Sequence, residues 1–364
     1  MNKPKQEDSG QFSHAARLLV LFAMFIIIVA GLKAAAPLLV PMLLAIFLAL
    51  LCLPVLNWFT DRRVPGWLSV TILFACIFLV GSVLLTIVGG SVEQLRGNLG
   101  QYRETWEAKE QSAKDWVREK LPGKFPEVEE DPDKPSKLDD FFDEERIFSL
   151  ATAAIGQFGS IVGNLVMVLL LFVFLLSELQ SLPAKLSAIR VEGAEATGQF
   201  DRIVHDVNRY VGIKTIVSAA TGICAGIACA AVGVDFPVLW GLIAFLMNFI
   251  PNIGSFMAAI PPLFLTIVQP GLGLSEAIIV AGAYTGINFI IGNMIEPKMM
   301  GKSLDLSTLV VFVSLVFWGW VFGAVGMLLS VPLTMVIKIA CETSPTTRPI
   351  AILLGSGEGL TAGK

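Results

Sequence analysis

Long apolar segments separated by short polar stretches run along most of this chain, and their lengths predict a bundle of membrane helices. An α-helix needs roughly 20 apolar residues to cross the hydrocarbon core of a bilayer. About eight segments approach or exceed this length with few charges inside them: 17–32, 37–59, 67–89, 150–177, 209–233, 236–269, 274–295 and 306–340. The pattern therefore predicts an all-α polytopic membrane protein.

The segment 236–269 departs from this pattern because polar and helix-breaking residues occupy its centre: Asn248, Pro251, Asn252, Gly254 and Ser255. Proline removes a backbone donor and clashes with the preceding helical turn, and glycine tolerates conformations closed to other residues. Non-helical backbone at membrane depth persists only where protein buries it or where it lines a water-filled cavity. We therefore expect two half-helices that meet at a break, as in a re-entrant hairpin. An ordinary proline-kinked span is the alternative.

The last apolar segment, 306–340, is too long for one typical crossing. Glycines and a proline give it places to bend, at Gly319, Gly323, Gly326 and Pro332. It is a second candidate hairpin, or else a pair of tilted helices.

Small residues spaced by four occur three times in the C-terminal half, at Gly222–Gly226, Gly282–Gly286 and Gly319–Gly323. This spacing lets two membrane helices approach closely. Together the three pairs predict tight helix packing in this half of the chain.

Composition supports a membrane protein and argues against several other classes. The chain is 55% hydrophobic and only 15% charged, with mean hydropathy +0.74, whereas soluble domains carry about 25% charged residues. The net charge of −4 gives no basic footprint for nucleic acid. The five cysteines have no metal-type spacing and are expected to act as small hydrophobic residues. We expect no cofactor and no metal.

Charges in the loops predict the orientation of the chain. The short basic loop 61–65 belongs in the cytoplasm by the positive-inside rule, which places the N-terminus there, and the count of crossings places the C-terminus there too. The chain start resembles a signal peptide that ends at Ala34–Ala36. We interpret it as an uncleaved first span, because further spans follow at once.

One long polar insertion, 91–148, interrupts the apolar pattern, and its acidic residues outnumber its basic ones. We expect it on the outer face. The alternating charges of its first half, to about Leu121, favour a solvated helix. Its Pro-rich second half is expected to be irregular.

These features predict five regions along the chain. They are an N-terminal tail with three spans (1–90), an extracytoplasmic acidic insertion (91–148), a fourth span with a cytoplasmic connector (149–207), a transport core with broken hairpins (208–342) and a cytoplasmic tail (343–364).

Candidate functional residues follow from the break and from the segment after it. Unpaired amides and half-helix N-termini can bind an oxygen-rich solute. Asn288, Gly292 and Glu296 are spaced by four, which predicts one helical face, and buried amide and carboxylate groups there need partners or a hydrated cavity. The predicted binding or translocation residues are Asn248, Pro251, Asn252, Gly254, Ser255, Pro261 and Asn288, and the predicted gate or coupling residues are Glu296, Lys298 and Gly301.

Three motifs together resemble one family. They are NFIPNIGSFMAAIP at 248–261, NMIEPKMMGKSLDLSTL at 293–309 and FWGWVFGAVGMLLSVP at 317–332. In this order, with a soluble insertion after the third span, they resemble the autoinducer-2 exporter family, most closely its bacterial quorum-signal transport branch. The resemblance implies an inner-membrane exporter of the small polar signal autoinducer-2. It also implies a homo-oligomer, pentameric in related members, and an elevator-like moving domain built from the hairpins.

Other functions remain open at this point. Some relatives of this kind are described as cation/proton antiporters, and Glu296 or Asp305 would then be the proton-linked carboxylate. A membrane scaffold that acts through its acidic insertion is a candidate from another class. An enzyme is not expected, because the membrane segments lack a His-x-x-x-His pair, a Ser/His pair and an Asp pair.

Overall fold

Helices form every regular element in the part of this computed structural model that can be described, residues 14–120, 166–178, 194–251, 253–300 and 306–356. In chain order they are α1 (His14–Ala34), α2 (Ala36–Asp61), α3 (Gly66–Lys120), α4 (Val166–Glu178), α5 (Ala194–Val232), α6 (Pro237–Met247), α7 (Gly254–Val268), α8 (Leu274–Ile287), a π-helix (Asn288–Ile295), α9 (Glu296–Met300), α10 (Thr308–Glu342) and α11 (Arg348–Leu354). The predicted all-α class is confirmed.

Five of the described helical segments are long and apolar enough to cross a bilayer: Ala36–Asp61, Gly66–Ser112, Arg202–Val232, Leu274–Met300 and Thr308–Glu342. The apolar helices α4, α6 and α7 and the apolar part of α1 are shorter, at 10–17 residues each. Large apolar side chains on α1 point away from the rest of the chain, as expected for a helix that faces lipid. The chain is therefore a polytopic membrane protein.

The third span and the first half of the acidic insertion form one continuous helix, the 55-residue α3. Its C-terminal half carries the helical ion pairs Arg103–Glu107 at 2.9 Å and Glu110–Lys114 at 3.0 Å. These i,i+4 pairs stabilise a solvated helix, so the prediction of a helix up to about residue 121 is confirmed. The predicted irregular second half lies outside the described residues.

The predicted interruption at residues 248–253 is confirmed, because α6 ends at Met247 and α7 begins at Gly254. Gln269 joins the start of α6 to the end of α7, the two ends that lie away from the interruption. Its Nε2 donates to Gly233 O and its Oε1 accepts from the Asp235 backbone N–H, both at 2.9 Å. The chain therefore reverses direction, and we call α6 and α7 hairpin 1. The alternative of a single kinked span is wrong.

Glycine is required at the turn of hairpin 1 by close backbone approach. A Cβ on Gly254 would lie 1.8 Å from Met247 O, far inside any contact distance. Only the two-helix arrangement brings these backbones together, so the local sequence specifies the reversal.

Helix α10 also folds back on itself. Gly323 has φ 66° and ψ −146°, a conformation that essentially only glycine adopts. The Thr334 hydroxyl lies 2.8 Å from Ser314 Oγ, although 20 residues of straight helix would separate them by about 30 Å. We call α10 hairpin 2, which resolves the prediction in favour of a hairpin.

The two hairpins approach α5 from opposite ends. The base of hairpin 1 directly follows the C-terminal end of α5 at Val232. The base of hairpin 2 lies at the other end, where Glu342 Oε2 is 3.1 Å from Arg202 Nη1 of α5. Oppositely directed hairpins around a shared helix resemble the inverted arrangement of many transporters.

Helix α5 packs against hairpin 1 through glycines. A Cβ on Gly222 would lie 2.6 Å from Gly241 O, and one on Gly226 would lie 3.2 Å from Pro237 O. The prediction of tight packing is confirmed for this pair. It is wrong for Gly282–Gly286 within the described chain, where a Cβ at either position meets nothing within 4 Å. Gly323 forms a turn instead of a packing contact.

We expect Gly241→Ala to destabilise the protein by about 1–3 kcal/mol, because its Cβ would lie 2.7 Å from Gly222 O and force two backbones apart. Thermal unfolding in detergent measures the effect. Gly282→Ala is the matched control, since open space surrounds that position. Equal unfolding temperatures for the two variants would contradict the packing account.

Candidate functional site

The turn of hairpin 1 places an amide and two hydroxyls in contact inside the protein. Asn248 is 5% exposed and Ser218 is fully buried. Asn248 Nδ2 donates to Ser218 Oγ at 2.9 Å, and Ser255 Oγ donates to Asn248 Oδ1 at 3.3 Å. Ser218 lies near the middle of the apolar part of α5, Arg202–Val232. Burying a polar group among apolar helices costs free energy unless the group is hydrogen-bonded. The hydrogen bonds between these three side chains offset that cost.

A buried ion pair lies one helical turn along α5 from that contact. Lys214 Nζ is 2.5 Å from Glu296 Oε1, and the two side chains are only 6% and 18% exposed. The pair links α5 to α9, the short helix that follows the π-helix. Ionisable residues inside membrane helices are rare and most often mark a pathway or a coupling site.

The predicted stripe of Asn288, Gly292 and Glu296 begins on a π-helix, and Glu296 follows as the first residue of α9, so only the expected α-helical geometry of the stripe was wrong. Residues Asn288–Ile295 form the π-helix, and the backbone N–H of Glu296 bonds to Ile291 O, five residues back. Gly292 leaves room for the Asn288 amide, whose Oδ1 would lie 2.9 Å from a Cβ there. π-Helical turns are rare and frequently occur at functional sites.

A small cavity lies where α5, hairpin 1, α8 and the π-helix meet. It encloses about 10 Å³ and is lined by Thr221, Ala225, Ala244, Ser255, Ala258, Tyr284, Ile287 and Asn288. That volume is about what one water molecule needs, whereas pockets for small ligands measure roughly 300–1,000 Å³. This conformation therefore has its polar site closed.

A larger groove of about 520 Å³ lies between α3, α5 and α6, and its lining is apolar: Leu84, Ala219, Gly222, Ile223, Gly226, Ile227, Ala230, Pro237, Val238, Gly241, Leu242 and Phe245. Specific small-molecule sites combine an apolar wall with a few convergent polar groups. The groove lacks such groups among its described lining residues, so we place the candidate site at the small polar cavity.

The remaining predicted residues fall at different places. Pro251 is half-buried in the turn of hairpin 1, and Pro261 is exposed inside α7, about two helical turns beyond it. Lys298 is exposed on α9. Asn252, Gly301 and the alternative proton carrier Asp305 lie outside the described residues. Ser255 thus bonds to Asn248 and lines the small cavity together with Asn288, and Gly254 precedes it at the start of α7. Glu296 pairs instead with Lys214 of α5.

Two residues of the site, Lys214 and Ser218, were not predicted from the sequence. Both lie in the apolar segment that carries Gly222 and Gly226. A lysine inside a membrane segment is by itself a signal of function, so Lys214 could have been found. Ser218 gives no such signal, because a single serine is common in membrane helices.

This geometry defines a class of protein. Two helical hairpins approach α5 from opposite ends. The turn of hairpin 1 brings one buried amide and two hydroxyls together near the middle of this helix, one helical turn from a buried ion pair. Discontinuous helices that bring polar groups to the centre of a bundle are the means by which secondary transporters build their sites.

The chain belongs to the AI-2E transporter family. The sequence profile described as "AI-2E family transporter" matches residues 22–346, which include α2 to α10. The sequence-based resemblance is therefore confirmed, and the protein is a membrane transporter by family.

Three relatives are similar over nearly their whole length. A "Putative transport protein" of Haemophilus influenzae is 38% identical over 347 residues, which cover 94% of this chain and 97% of the relative. The "AI-2 transport protein TqsA" of Escherichia coli is 36% identical over 338 residues, covering 93% and 95%. The "Putative transport protein YhhT" of Escherichia coli is 32% identical over 358 residues, covering 98% of each chain.

Proposed function

We propose that this protein exports autoinducer-2, or a closely similar small polar signal, across the bacterial inner membrane. The contact of Asn248 with Ser218 and Ser255 at the interrupted helix carries the proposal, because it offers amide and hydroxyl groups without a formal charge. An oxygen-rich neutral solute needs donors and acceptors of this kind. The 36% identical relative named as an AI-2 transport protein supports the same solute.

Export requires that the closed site opens. A cavity of about 10 Å³ cannot hold a furanone-type solute, so the turn of hairpin 1 must move relative to α8 and the π-helix. We propose an elevator-like movement of the hairpins, without ATP, as a secondary or facilitated process. The open backbone groups at the start of α7 would then face the solute.

The Lys214–Glu296 pair is proposed as the gate of this movement. It ties α9 to α5 beside the hairpin turn, so these two helices separate only if the pair breaks. Lys298 and Gly301 are proposed to adjust the same gate, and Asn252 to complete the solute contacts of Asn248. Pro251 and Pro261 are proposed to shape the backbone around them.

The remaining parts of the proposal concern the assembly and its orientation. We propose that both termini lie in the cytoplasm, as the basic loop 61–65 indicates. The base of hairpin 1 then faces the outside and the base of hairpin 2 faces the cytoplasm, so both hairpins are re-entrant. A homo-oligomer, with a pentamer as the first choice, is proposed on the family resemblance.

A second candidate function is sodium/proton exchange, which the burial of the Glu296 carboxylate favours. Proton release from protein-containing vesicles on addition of sodium tests it. Release that disappears in Glu296→Gln but persists without any autoinducer-2 would replace the export proposal by exchange.

The export proposal is tested by measuring autoinducer-2 inside and outside cells that contain or lack the protein, with and without a proton uncoupler. We expect cells that lack it to retain more signal. A loss of export with the uncoupler indicates secondary coupling, and export that persists indicates facilitated release. Equal retention in both strains would reject the proposed solute.

Asn248→Ala is expected to lower export about tenfold or more, because it removes both hydrogen bonds of the site and leaves Ser218 buried without its donor. Export from cells at matched protein levels measures this. Thr285→Ala is the control, because that hydroxyl is exposed in the described structure and donates to Ala281 O of its own helix. Equal export by the two variants would remove Asn248 from the site.

A further inference from the structure

The outer half of α3 packs against a different part of the molecule from its membrane half. In the membrane half, Val70 and Leu73 belong to a core with α2 and α4. In the outer half, Tyr102 is buried in the core formed by α5, hairpin 1 and α8, and Leu95 and Trp106 pack against the same core. We call residues 93–120 the arm.

Polar contacts fasten the arm to the base of hairpin 1. Tyr102 OH donates to Asp235 Oδ2 at 2.6 Å, just before α6 begins. Lys109 Nζ donates to Ile267 O at 2.7 Å and to Leu272 O at 2.5 Å, on either side of the end of α7. A cation at the C-terminal carbonyls of a helix also complements the helix dipole. The arm thus holds both ends of hairpin 1.

The part of α3 between these two cores is weakly held. Between Ile77 and Leu95, which still pack against the two cores, no residue is buried by the described part of the chain. This stretch contains the adjacent pair Gly89 and Gly90, and a Cβ at either position would meet nothing within 4 Å of the described atoms. Packing therefore does not explain these glycines, although glycine weakens a helix interior. Adjacent glycines are common sites of helix bending.

We propose that the arm moves with hairpin 1 as one body, and that Gly89 and Gly90 form the hinge that joins it to the membrane half of α3. The inference rests on the proposed movement of hairpin 1 and gives the first half of the acidic insertion a role in it. The arm stabilises the hairpin base while the turn of the hairpin opens. The second core, with α2 and α4, stays in place.

Distances between spin labels in nanodiscs test this without any solute. Labels are attached to cysteines at the exposed positions Leu79 on the membrane half, Glu104 on the arm and Ile260 on hairpin 1, after the native cysteines are replaced by alanine. We expect a narrow Glu104–Ile260 distribution and a broad or two-peaked Leu79–Glu104 distribution. A Glu104–Ile260 distribution broader than the Leu79–Glu104 distribution, or two narrow distributions, would overturn the inference.

The variant Gly89→Ala/Gly90→Ala adds a functional test. Alanine stiffens the helix in open space, so we expect a higher unfolding temperature, a narrower Leu79–Glu104 distribution and autoinducer-2 export reduced at least fivefold. Gly31→Ala, in equally open space on α1, is expected to keep full export. Unchanged export by the double variant, beside a wild type that exports, would overturn the hinge.

The two proposals fail separately in these measurements. If the wild type exports no autoinducer-2 while the label distances behave as expected, the solute assignment fails and the hinge stands. If the wild type exports and the distances show a rigid α3, the hinge fails and the export proposal stands.

Discussion

Lys214→Ala is expected to destabilise the protein by about 3–5 kcal/mol, because it leaves the Glu296 carboxylate largely buried without its partner. Removing one member of a buried ion pair is far more harmful than removing both, since an unpaired charge keeps its full desolvation penalty. Thermal unfolding in detergent, together with the yield of monodisperse protein, measures the loss. Glu296→Ala is expected to destabilise the protein similarly, because it leaves the buried Lys214 ammonium without its partner.

A double replacement separates the structural role of this pair from its role in transport. Methionines of similar volume at both positions leave no unpaired charge, so Lys214→Met/Glu296→Met is expected to recover most of the lost stability. It is nevertheless expected to export at least tenfold less autoinducer-2 than the wild type, because the proposed gate is gone. A stable double variant with full export would show that the pair only supports the fold.

Gly254→Ala and Gly326→Ala are expected to prevent the two hairpin turns from closing. The new Cβ would lie 1.8 Å from Met247 O in the first variant and 1.9 Å from Trp318 O in the second. Both obstacles are backbone atoms, which cannot move without opening the turn. We expect destabilisation at or above the upper end of the range of about 1–3 kcal/mol for overpacking, with loss of export, measured by thermal unfolding and vesicle efflux.

The chain provides matched controls for these substitutions. Gly282→Ala and Gly286→Ala make the same chemical change on α8, where a Cβ meets nothing within 4 Å in the described structure. Both are expected to fold and export as the wild type does. If Gly254→Ala matched them in stability, the close approach at the turn of hairpin 1 would be contradicted.

The breaks in the helices were predictable because their causes are local. Pro251 and Gly254 lie within the interrupted segment itself, and each disfavours helix for its own steric reason. Short-range sterics leave their mark directly on the sequence, so these breaks needed no knowledge of the fold. The spacing of Gly222 and Gly226 predicted their helix contact less directly, because the same spacing at Gly282 and Gly286 gives no contact among the described residues.

The assembly of the site was not predictable, because it joins residues distant along the chain. Lys214 and Glu296 are 82 positions apart, and Asn248 and Ser218 are 30 apart. Periodicity shows which residues share a helix face but not which helix they meet. The π-helix at Asn288–Ile295 likewise has no pattern of its own, so spacing by four was read as an α-helix.

The most direct test of the account is efflux of autoinducer-2 from sealed proteoliposomes that contain the purified wild-type chain or Asn248→Ala. We predict efflux through the wild type well above that of empty liposomes, and a loss of about tenfold in the variant at equal reconstitution. Wild-type efflux no faster than from empty liposomes, or equal efflux through both proteins, would contradict transport through the turn of hairpin 1.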